Sequence, residues 1–311
     1  MSSLEDIPGV GRITAKKLLD AGIGSVSQLA LYTVEELVEL TGLDEARARK
    51  ILYYARRLAR RVEDEVYTAK GLKSLEKVLL TTGVKTIDKL LGGGLEPVSI
   101  YEFAGEFGSG KTQLCHQLSV TVQLSRNRGG VGGKAFYIDT EGTFSPERIN
   151  TIAERFDLDV DHTLENIYVY QPLNVDDLEE LVKQRLVSFV EKGVKLIVVD
   201  SIIALYRAEF KGVEYLARRQ QRINYLLDWL KRIGRIYNTY NVITNQVVQQ
   251  IGGFLAIKIP AGGNIIAHAS THRFLLKKAG DKWLIEVLDS PHIAKGLKAF
   301  FKITDKGVEP V

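Results

Sequence analysis

Gly105-Glu106-Phe107-Gly108-Ser109-Gly110-Lys111-Thr112 follows the apolar run Val98 to Ala104 and leads into the helix-forming stretch Gln113 to Leu124. It reads G-x-x-x-x-G-K-[ST], the pattern of a phosphate-binding loop, with the strand before it and the helix after it that the pattern requires. Glycines let the backbone curl until successive N–H groups point at one spot, and the following helix adds the positive end of its dipole there. The expectation is a cradle for a triphosphate built from Gly105, Glu106, Phe107, Gly108, Ser109, Gly110, Lys111, Thr112 and Gln113. Lys111 is expected to reach the outer phosphates as a point charge. The Thr112 hydroxyl is expected to ligate Mg²⁺, a hard cation that prefers oxygen.

Outward from this loop, apolar strands alternate with helical patterns. The strands read as Val98–Ala104, Lys134–Ile138, Asn166–Tyr170, Val194–Val199 and Asn241–Thr244, and the helices as Lys111–Leu124, Pro146–Arg155, Val175–Glu191 and Glu214–Ile233. Such alternation predicts an α/β fold with a mostly parallel sheet covered by helices on both faces. After Pro260 the pattern changes to consecutive strands, Arg273–Lys278, Lys282–Leu288 and Ala299–Thr304, with a turn at Ala279-Gly280-Asp281. An antiparallel C-terminal extension is therefore expected.

Three strand ends carry chemistry. Leu196-Ile197-Val198-Val199-Asp200 ends in a carboxylate, and Asp200 is expected to hold Mg²⁺ through water while Thr112 binds it directly. Phe136-Tyr137-Ile138-Asp139-Thr140-Glu141 puts Glu141 at the carboxyl edge of the sheet, where open α/β sheets bind ligands. Glu141 is the candidate base that orients the attacking water, with Asp139, or a purely structural Glu141, as the alternative. Thr244-Asn245-Gln246 offers amides that could sense the γ-phosphate and pass its loss to the following loop.

The N-terminal residues read differently. Ile7-Pro8-Gly9-Val10-Gly11 leads into a helix over 14–22, and Leu40-Thr41-Gly42-Leu43 leads into Glu45 to Arg61. The first turn resembles a helix-hairpin-helix, in which Gly9 and Gly11 let the backbone approach a DNA phosphate and donate N–H groups to it. The same module also serves purely for packing. Arg47, Arg49, Lys50, Arg56, Arg57, Arg60 and Arg61 wrap the second helix, with Leu52, Ala55 and Leu58 expected on its inner face. The domain reading is 1–62 helix-hairpin-helix, 63–78 linker and 79–311 ATPase core. Within the linker Val66-Tyr67-Thr68-Ala69 is β-prone, suited either to adding a strand to a neighbour's sheet edge or to a local strand or plain tether.

The 311 residues are 45% hydrophobic, which supports a sizeable core, and 42 basic against 38 acidic residues give a net charge of only +4. Nucleic-acid affinity must then come from local patches. No apolar run of about 18 residues and no basic, apolar leader is present, so no membrane partner and an unsecreted protein are expected. Cys115, the only cysteine, reads as a small buried apolar residue, and no disulfide is possible within the chain.

Several stretches together resemble the archaeal RadA recombinases, kin of the eukaryotic strand-exchange recombinases and of bacterial RecA, over about residues 5–310. The carriers are GEFGSGKTQLCHQLSVTVQLS at 105–125, YIDTEGTFSPERI at 137–149, LIVVDS at 196–201, ALYRAEF at 204–210, TNQV at 244–247 and HASTHR at 268–273. The resemblance implies a RecA-like, ATP- and Mg²⁺-dependent DNA recombinase of the cytoplasmic nucleoid, binding single- and double-stranded DNA as a homo-oligomeric filament or ring. It implies that Arg148 stacks on adenine, that Gln246 contacts the γ-phosphate region, and that Asp289-Ser290-Pro291 caps the nucleotide of the neighbouring subunit. Val66 to Ala69 occupies the place of the Phe-x-x-Ala polymerisation motif, with Val66 in place of the phenylalanine.

Two DNA-facing loops follow from the same resemblance. The first lies near Arg207 to Val213 and continues to Arg218 and Arg219, with Val213 where the family usually has another arginine. The second runs roughly from Val248 to Ala261, lacks the usual Pro-Asp stretch, and precedes Asn264 where a histidine is expected. Ala294-Lys295-Gly296 replaces a more acidic Pro-Glu-Gly in the cap. These departures also fit a diverged member that loads or modulates another recombinase. A helicase-type motor would need ring-forming and translocation cues that the sequence does not offer.

Overall fold

A computed structural model describes residues 3–59, 66–74, 77–252 and 255–311. The chain divides into two compact units, residues 1–76 together with 183–187, and residues 77–182 together with 188–311.

The first unit is helical: α1 (Arg12–Asp20), α2 (Val26–Leu29), α3 (Val34–Thr41), α4 (Glu45–Ala59) and α5 (Ala69–Ser74). Local chemistry sets the boundaries. Thr33 and Glu36 form a capping box that opens α3, and Gly42 closes it in the left-handed conformation. Helix α4 buries Ala48, Ile51, Leu52 and Ala55, a stripe at helical spacing. Leu58, expected on this face, is instead 47% exposed. Two of the arginines expected on the outer face brace the unit internally. Arg47 donates to the Gly9 carbonyl at 3.3 Å and to Thr14 Oγ1 at 2.7 Å, and Arg56 donates to the Tyr32 carbonyl at 2.7 Å. Arg60 and Arg61 lie outside the described residues. The β-prone stretch forms no local strand: residues 66–68 are irregular and Ala69 opens α5.

The second unit is a ten-stranded mixed sheet with its helices. In chain order it contains α6 (Lys85–Leu90), β1 (Ile100–Gly105), α7 (Lys111–Thr121), β2 (Lys134–Asp139), α8 (Pro146–Arg155), α9 (Val160–Glu165) and β3 (Ile167–Tyr170). Then come α10 (Val175–Glu180), α11 (Leu186–Glu191), β4 (Val194–Asp200), α12 (Ala204–Glu209), α13 (Leu216–Tyr237), β5 (Tyr240–Gly252) and β6 (Leu255–Pro260). The chain ends with α14 (Gly263–Ala269), β7 (His272–Ala279), β8 (Lys282–Asp289), β9 (Lys298–Thr304) and β10 (Gly307–Pro310). Strand order is β10-β9-β8-β7-β1-β5-β4-β2-β3, with β6 paired to β5 alone.

From β7 to β3 the pairs are parallel, and from β7 to β10 they are antiparallel. Every residue of β1 is buried, as are all but one of β4, so both faces of the central sheet are covered. Phe103, Leu114, Leu118, Tyr137, Val198, Val242 and Phe274 belong to one continuous core.

The structure departs from the sequence reading at three elements. The helix expected over Val175–Glu191 is interrupted by a π-helical turn, Leu181–Arg185. A fourth C-terminal strand, β10, pairs antiparallel with β9. The expected second loop is largely a hairpin: β5 runs on past the sheet and pairs with β6 from Val247↔Pro260 to Gly252↔Leu255. The β-branched residues Val247, Val248, Ile251, Ile257 and Ile259 favour extended strands here, which outweighs Gly252 at the end of β5. Gly253 and Phe254 lie outside the described residues.

Candidate nucleotide site and nucleic-acid interface

Parallel pairing brings the carboxyl ends of β1, β5, β4 and β2 into line. Gly105 sits opposite Gln246, and Asp139 opposite Asp200. At this edge a cleft of about 550 Å³ is lined by the phosphate loop and by Gln113, Glu141, Thr143, Asp200, Gln246, Val247 and Ile303. Gly105 has no room for a side chain, since a Cβ would stand 2.3 Å from Ser109 Oγ and 2.5 Å from the Leu276 carbonyl oxygen. Gly110 precedes α7 at φ +94°, with Ile303 2.9 Å from where a Cβ would lie. Both positions demand glycine, one for space and the other for backbone angle.

Lys111 Nζ donates to the carbonyls of Gly105 at 3.0 Å and Glu106 at 2.8 Å. Burial pushes its ammonium pKa down, while the carboxylates of Asp200 and Glu141 act in the opposite sense. Asp200 is buried and collects hydroxyls from three directions. Thr112 Oγ1 donates to Oδ2 at 2.8 Å, Tyr137 donates to the same oxygen at 2.6 Å, and Thr244 Oγ1 donates to Oδ1. Burial, then the Asp200 charge, pushes the Tyr137 phenol well up, so it remains a donor. Among the described residues no cluster of three or more His, Cys, Asp or Glu could hold an ion alone. The hard oxygens of Thr112 and Asp200 fit Mg²⁺, which keeps several waters and takes phosphate oxygens beside one or two protein ligands.

Asp139 and Glu141 separate into different roles. Asp139, buried behind the edge, accepts from the Thr143 and Phe144 N–H groups at 3.0 Å each and from Gln171 Nε2 at 3.0 Å. Burial pushes its pKa up, but these hydrogen bonds outweigh burial and leave it below the usual carboxylate value. Its oxygens are committed to shaping the turn. Glu141 is exposed in the cleft and receives Ser201 Oγ at 2.8 Å and Gln246 Nε2 at 3.0 Å, both on Oε1. Among the described residues no donor bonds Oε2, which leaves it able to accept from a water.

The Gln246 amide also accepts from Arg207 Nη1 at 3.3 Å, so an arginine expected at the DNA reaches the cleft through one side chain. Arg207 lies on α12 rather than in a loop. Arg218 and Arg219 lie in the first turn of α13 and converge on Phe210. The Arg218 guanidinium sits 5.6 Å from the Phe210 ring centroid, and Arg219 Nη1 donates to the Phe210 carbonyl at 3.4 Å. Val213, between them, is 85% exposed. Arg222 is tied to Asp176 at 2.5 Å and Glu179 at 2.8 Å, which raise its pKa and neutralise its charge.

The remaining expected residues lie apart from this cleft or at its margin. Arg148 donates to Gln113 Oε1 at 2.6 Å and to the carbonyls of Thr304 and Asp305 at 2.5 Å each, so its guanidinium is fixed beside the helix that follows the loop. Asp289 and Pro291, at the end of β8, do not line the cleft, and Asp289 pairs across from Arg273. Gly9, at φ +96°, and Gly11 have nothing within 4 Å of the place a Cβ would take, which leaves their backbone approachable. Val66 is fully exposed. Cys115 is buried, and burial pushes its thiol well up.

Sequence reasoning missed Tyr137, Ser201 and Thr244, whose hydroxyls orient the two carboxylates. Their placement follows from strand neighbours, not from spacing. It also missed Lys258 on β6, whose Nζ pairs with Glu106 Oε1 at 2.5 Å and ties the hairpin to the phosphate loop.

A parallel sheet with this loop, carboxylate and glutamate at its carboxyl edge defines a phosphate-loop protein of the α/β class. Comparison with known proteins narrows the class. The Rad51 family matches residues 73–311 and a SAM-like helix-hairpin-helix tandem matches residues 1–57. The "DNA repair and recombination protein RadA" of Ignicoccus hospitalis (strain KIN4/I / DSM 18386 / JCM 14125) is 44% identical over 317 residues, covering 99% of this chain and 95% of the relative. The chain belongs to the Rad51 family. Among the described residues no helix is long and apolar enough to cross a membrane.

Proposed function

We infer that this chain is a DNA-dependent ATPase that forms filaments on single-stranded DNA and catalyses homologous pairing and strand exchange in recombinational repair. The observation that carries the reading is the continuous bonding from Glu141 through Gln246 to Arg207, which links a water-orienting carboxylate to a DNA-facing arginine. ATP is the nucleotide, held at its outer phosphates by Lys111 and by the N–H groups of the loop and the start of α7.

Thr112 and Asp200 would hold Mg²⁺, which supplies charge neutralisation on the transferred phosphoryl group. Glu141, oriented by Ser201 and Gln246, aligns a water and accepts its proton. Gln246 senses whether the γ-phosphate is present. Arg148 flanks the base, and Asp289 and Pro291 belong to the site of an adjacent copy, so that the ATP sites lie between protomers.

DNA phosphates are taken by Arg207, Arg218 and Arg219, and by the backbone at Gly9 and Gly11. Residues 63–78 act as the linker, and Val66 to Ala69 add to the neighbouring copy. The exposed Val66 is consistent with an intermolecular role. Double-stranded DNA is the second substrate, and the cytoplasmic nucleoid is the site of action.

The test is D-loop formation by the purified chain with ATP, Mg²⁺ and homologous single-stranded DNA, alongside negative-stain microscopy. ATP-dependent helical filaments and joint molecules are expected. Absence of both, with filaments appearing only when another recombinase is supplied, would overturn the reading.

A further inference from the structure

A side chain outside the cleft holds the phosphate loop from behind. Trp283, the second residue of β8, donates its indole N–H to the Gly108 carbonyl at 3.0 Å. Gly108 belongs to the turn from Glu106 to Ser109, which is closed by the Ser109 N–H on the Glu106 carbonyl at 3.2 Å, and it takes φ +73°. In a planar trans peptide the C=O and N–H point in opposite directions. The peptide between Gly108 and Ser109 is therefore held at both ends, its N–H by the turn and its carbonyl by the indole. Rotation of this peptide would break the turn that shapes the cradle, and the indole opposes it.

The indole is itself fixed. Phe301 is its cross-strand partner on β9, and Lys278 Nζ lies 5.4 Å from the ring centroid. Phe301 also stands 3.5 Å from where a Cβ on Gly110 would lie, so one wall supports both ends of the loop.

We propose that Trp283 is a positioning residue for the phosphate loop, holding the Phe107-Gly108 turn in the shape that receives the phosphates without itself touching nucleotide. The proposal rests on the nucleotide-binding reading above. It also supplies a reporter. The other tryptophan, Trp229, is buried in α13, and the part of a nucleotide-dependent emission change that Trp283→Phe removes is assigned to Trp283.

The experiment titrates ADP and a non-hydrolysable ATP analogue, with Mg²⁺, into the full chain and into Trp283→Phe, which keeps a ring and removes only the donor. Loss of one net hydrogen bond raises the dissociation constant about 2- to 12-fold. KM for ATP rises in the same proportion, while kcat stays unchanged and the thermal midpoint of the nucleotide-free protein falls by no more than about 2–4 °C, the effect of one hydrogen bond. The nucleotide-dependent emission change disappears. Affinity within twofold of wild type, an unchanged emission response, or a fall in thermal midpoint well beyond that of one hydrogen bond overturns the proposal. Failure of the wild-type chain to bind either nucleotide overturns this proposal and the ATPase reading together, whereas wild-type affinity in Trp283→Phe overturns this proposal alone.

Discussion

Gln246 Nε2 donates to Glu141 Oε1 at 3.0 Å, and its amide oxygen accepts from Arg207, so one side chain touches both the carboxylate proposed to orient water and the cation proposed to face DNA. An amide with donor and acceptor ends passes on a displacement of either partner. Gln246→Ala is expected to keep ATP binding and to lower basal hydrolysis by at most roughly 10- to 150-fold, since its bond to the Glu141 carboxylate is charge-assisted and worth about 1.5–3 kcal/mol. Stimulation by single-stranded DNA is expected to fall below about twofold, within the effect of that one bond. Phosphate-release assays with and without DNA measure both.

Lys111 donates to two carbonyls of its own loop, and burial pushes its pKa down while the Asp200 and Glu141 carboxylates oppose the shift. Lys111→Ala removes charge-assisted bonds worth about 1.5–3 kcal/mol, so ATP affinity is expected to drop roughly 10- to 150-fold by calorimetry. Unchanged affinity would move Lys111 away from the phosphates.

Arg219 and Arg222 lie one helical turn apart on α13 and are expected to behave differently. Arg219→Ala should flatten the salt dependence of single-strand binding by about one unit of slope, one phosphate's worth. Arg222 already pairs with Asp176 and Glu179, so Arg222→Ala should leave the slope unchanged and lower stability instead. Binding measured across a salt series separates them.

Val66 is fully exposed within the chain. Val66→Asp is therefore expected to change folding stability by no more than about 0.5 kcal/mol, while reducing self-association in sedimentation experiments. Undiminished assembly would remove Val66 from the interface.

His272 is buried against Tyr101, which stacks on it at 4.5 Å, and bonds Ser290 Oγ through Nδ1 at 3.0 Å. Burial, helped by nearby His292 and Lys77 and opposed by Glu96, pushes its pKa down to about 4. The unfolded chain then binds a proton at this site before the folded one does. Its contribution is complete above the ordinary histidine value and is lost as pH falls towards 4, at up to about 1.4 kcal/mol per pH unit. Urea midpoints taken from pH 7 to 5 should fall less steeply in His272→Asn than in wild type.

The sequence makes the phosphate loop, Asp200, Glu141 and most strands legible because each is a local signal: a glycine pattern, an apolar run, a carboxylate at a strand end. Tyr137, Ser201 and Thr244 were not legible, since hydroxyls meet those carboxylates only after β2, β4 and β5 take neighbouring places. The hairpin of β5 and β6 was hidden by its glycines, although its β-branched residues were present. Arg47 looked like surface charge until the fold placed Gly9 and Thr14 within its reach. Trp283 lies far along the chain from Gly108, and no spacing announces that bond.

The central claim is that one carboxylate does the water chemistry and that DNA governs it. The direct measurement is steady-state hydrolysis of Mg²⁺-ATP by wild type and Glu141→Gln, each with and without single-stranded DNA. Wild-type turnover is expected to rise on adding DNA. Glu141→Gln is expected to retain ATP binding while losing at least roughly 100-fold in rate under both conditions. Normal turnover by Glu141→Gln, or wild-type hydrolysis indifferent to DNA, would contradict the account.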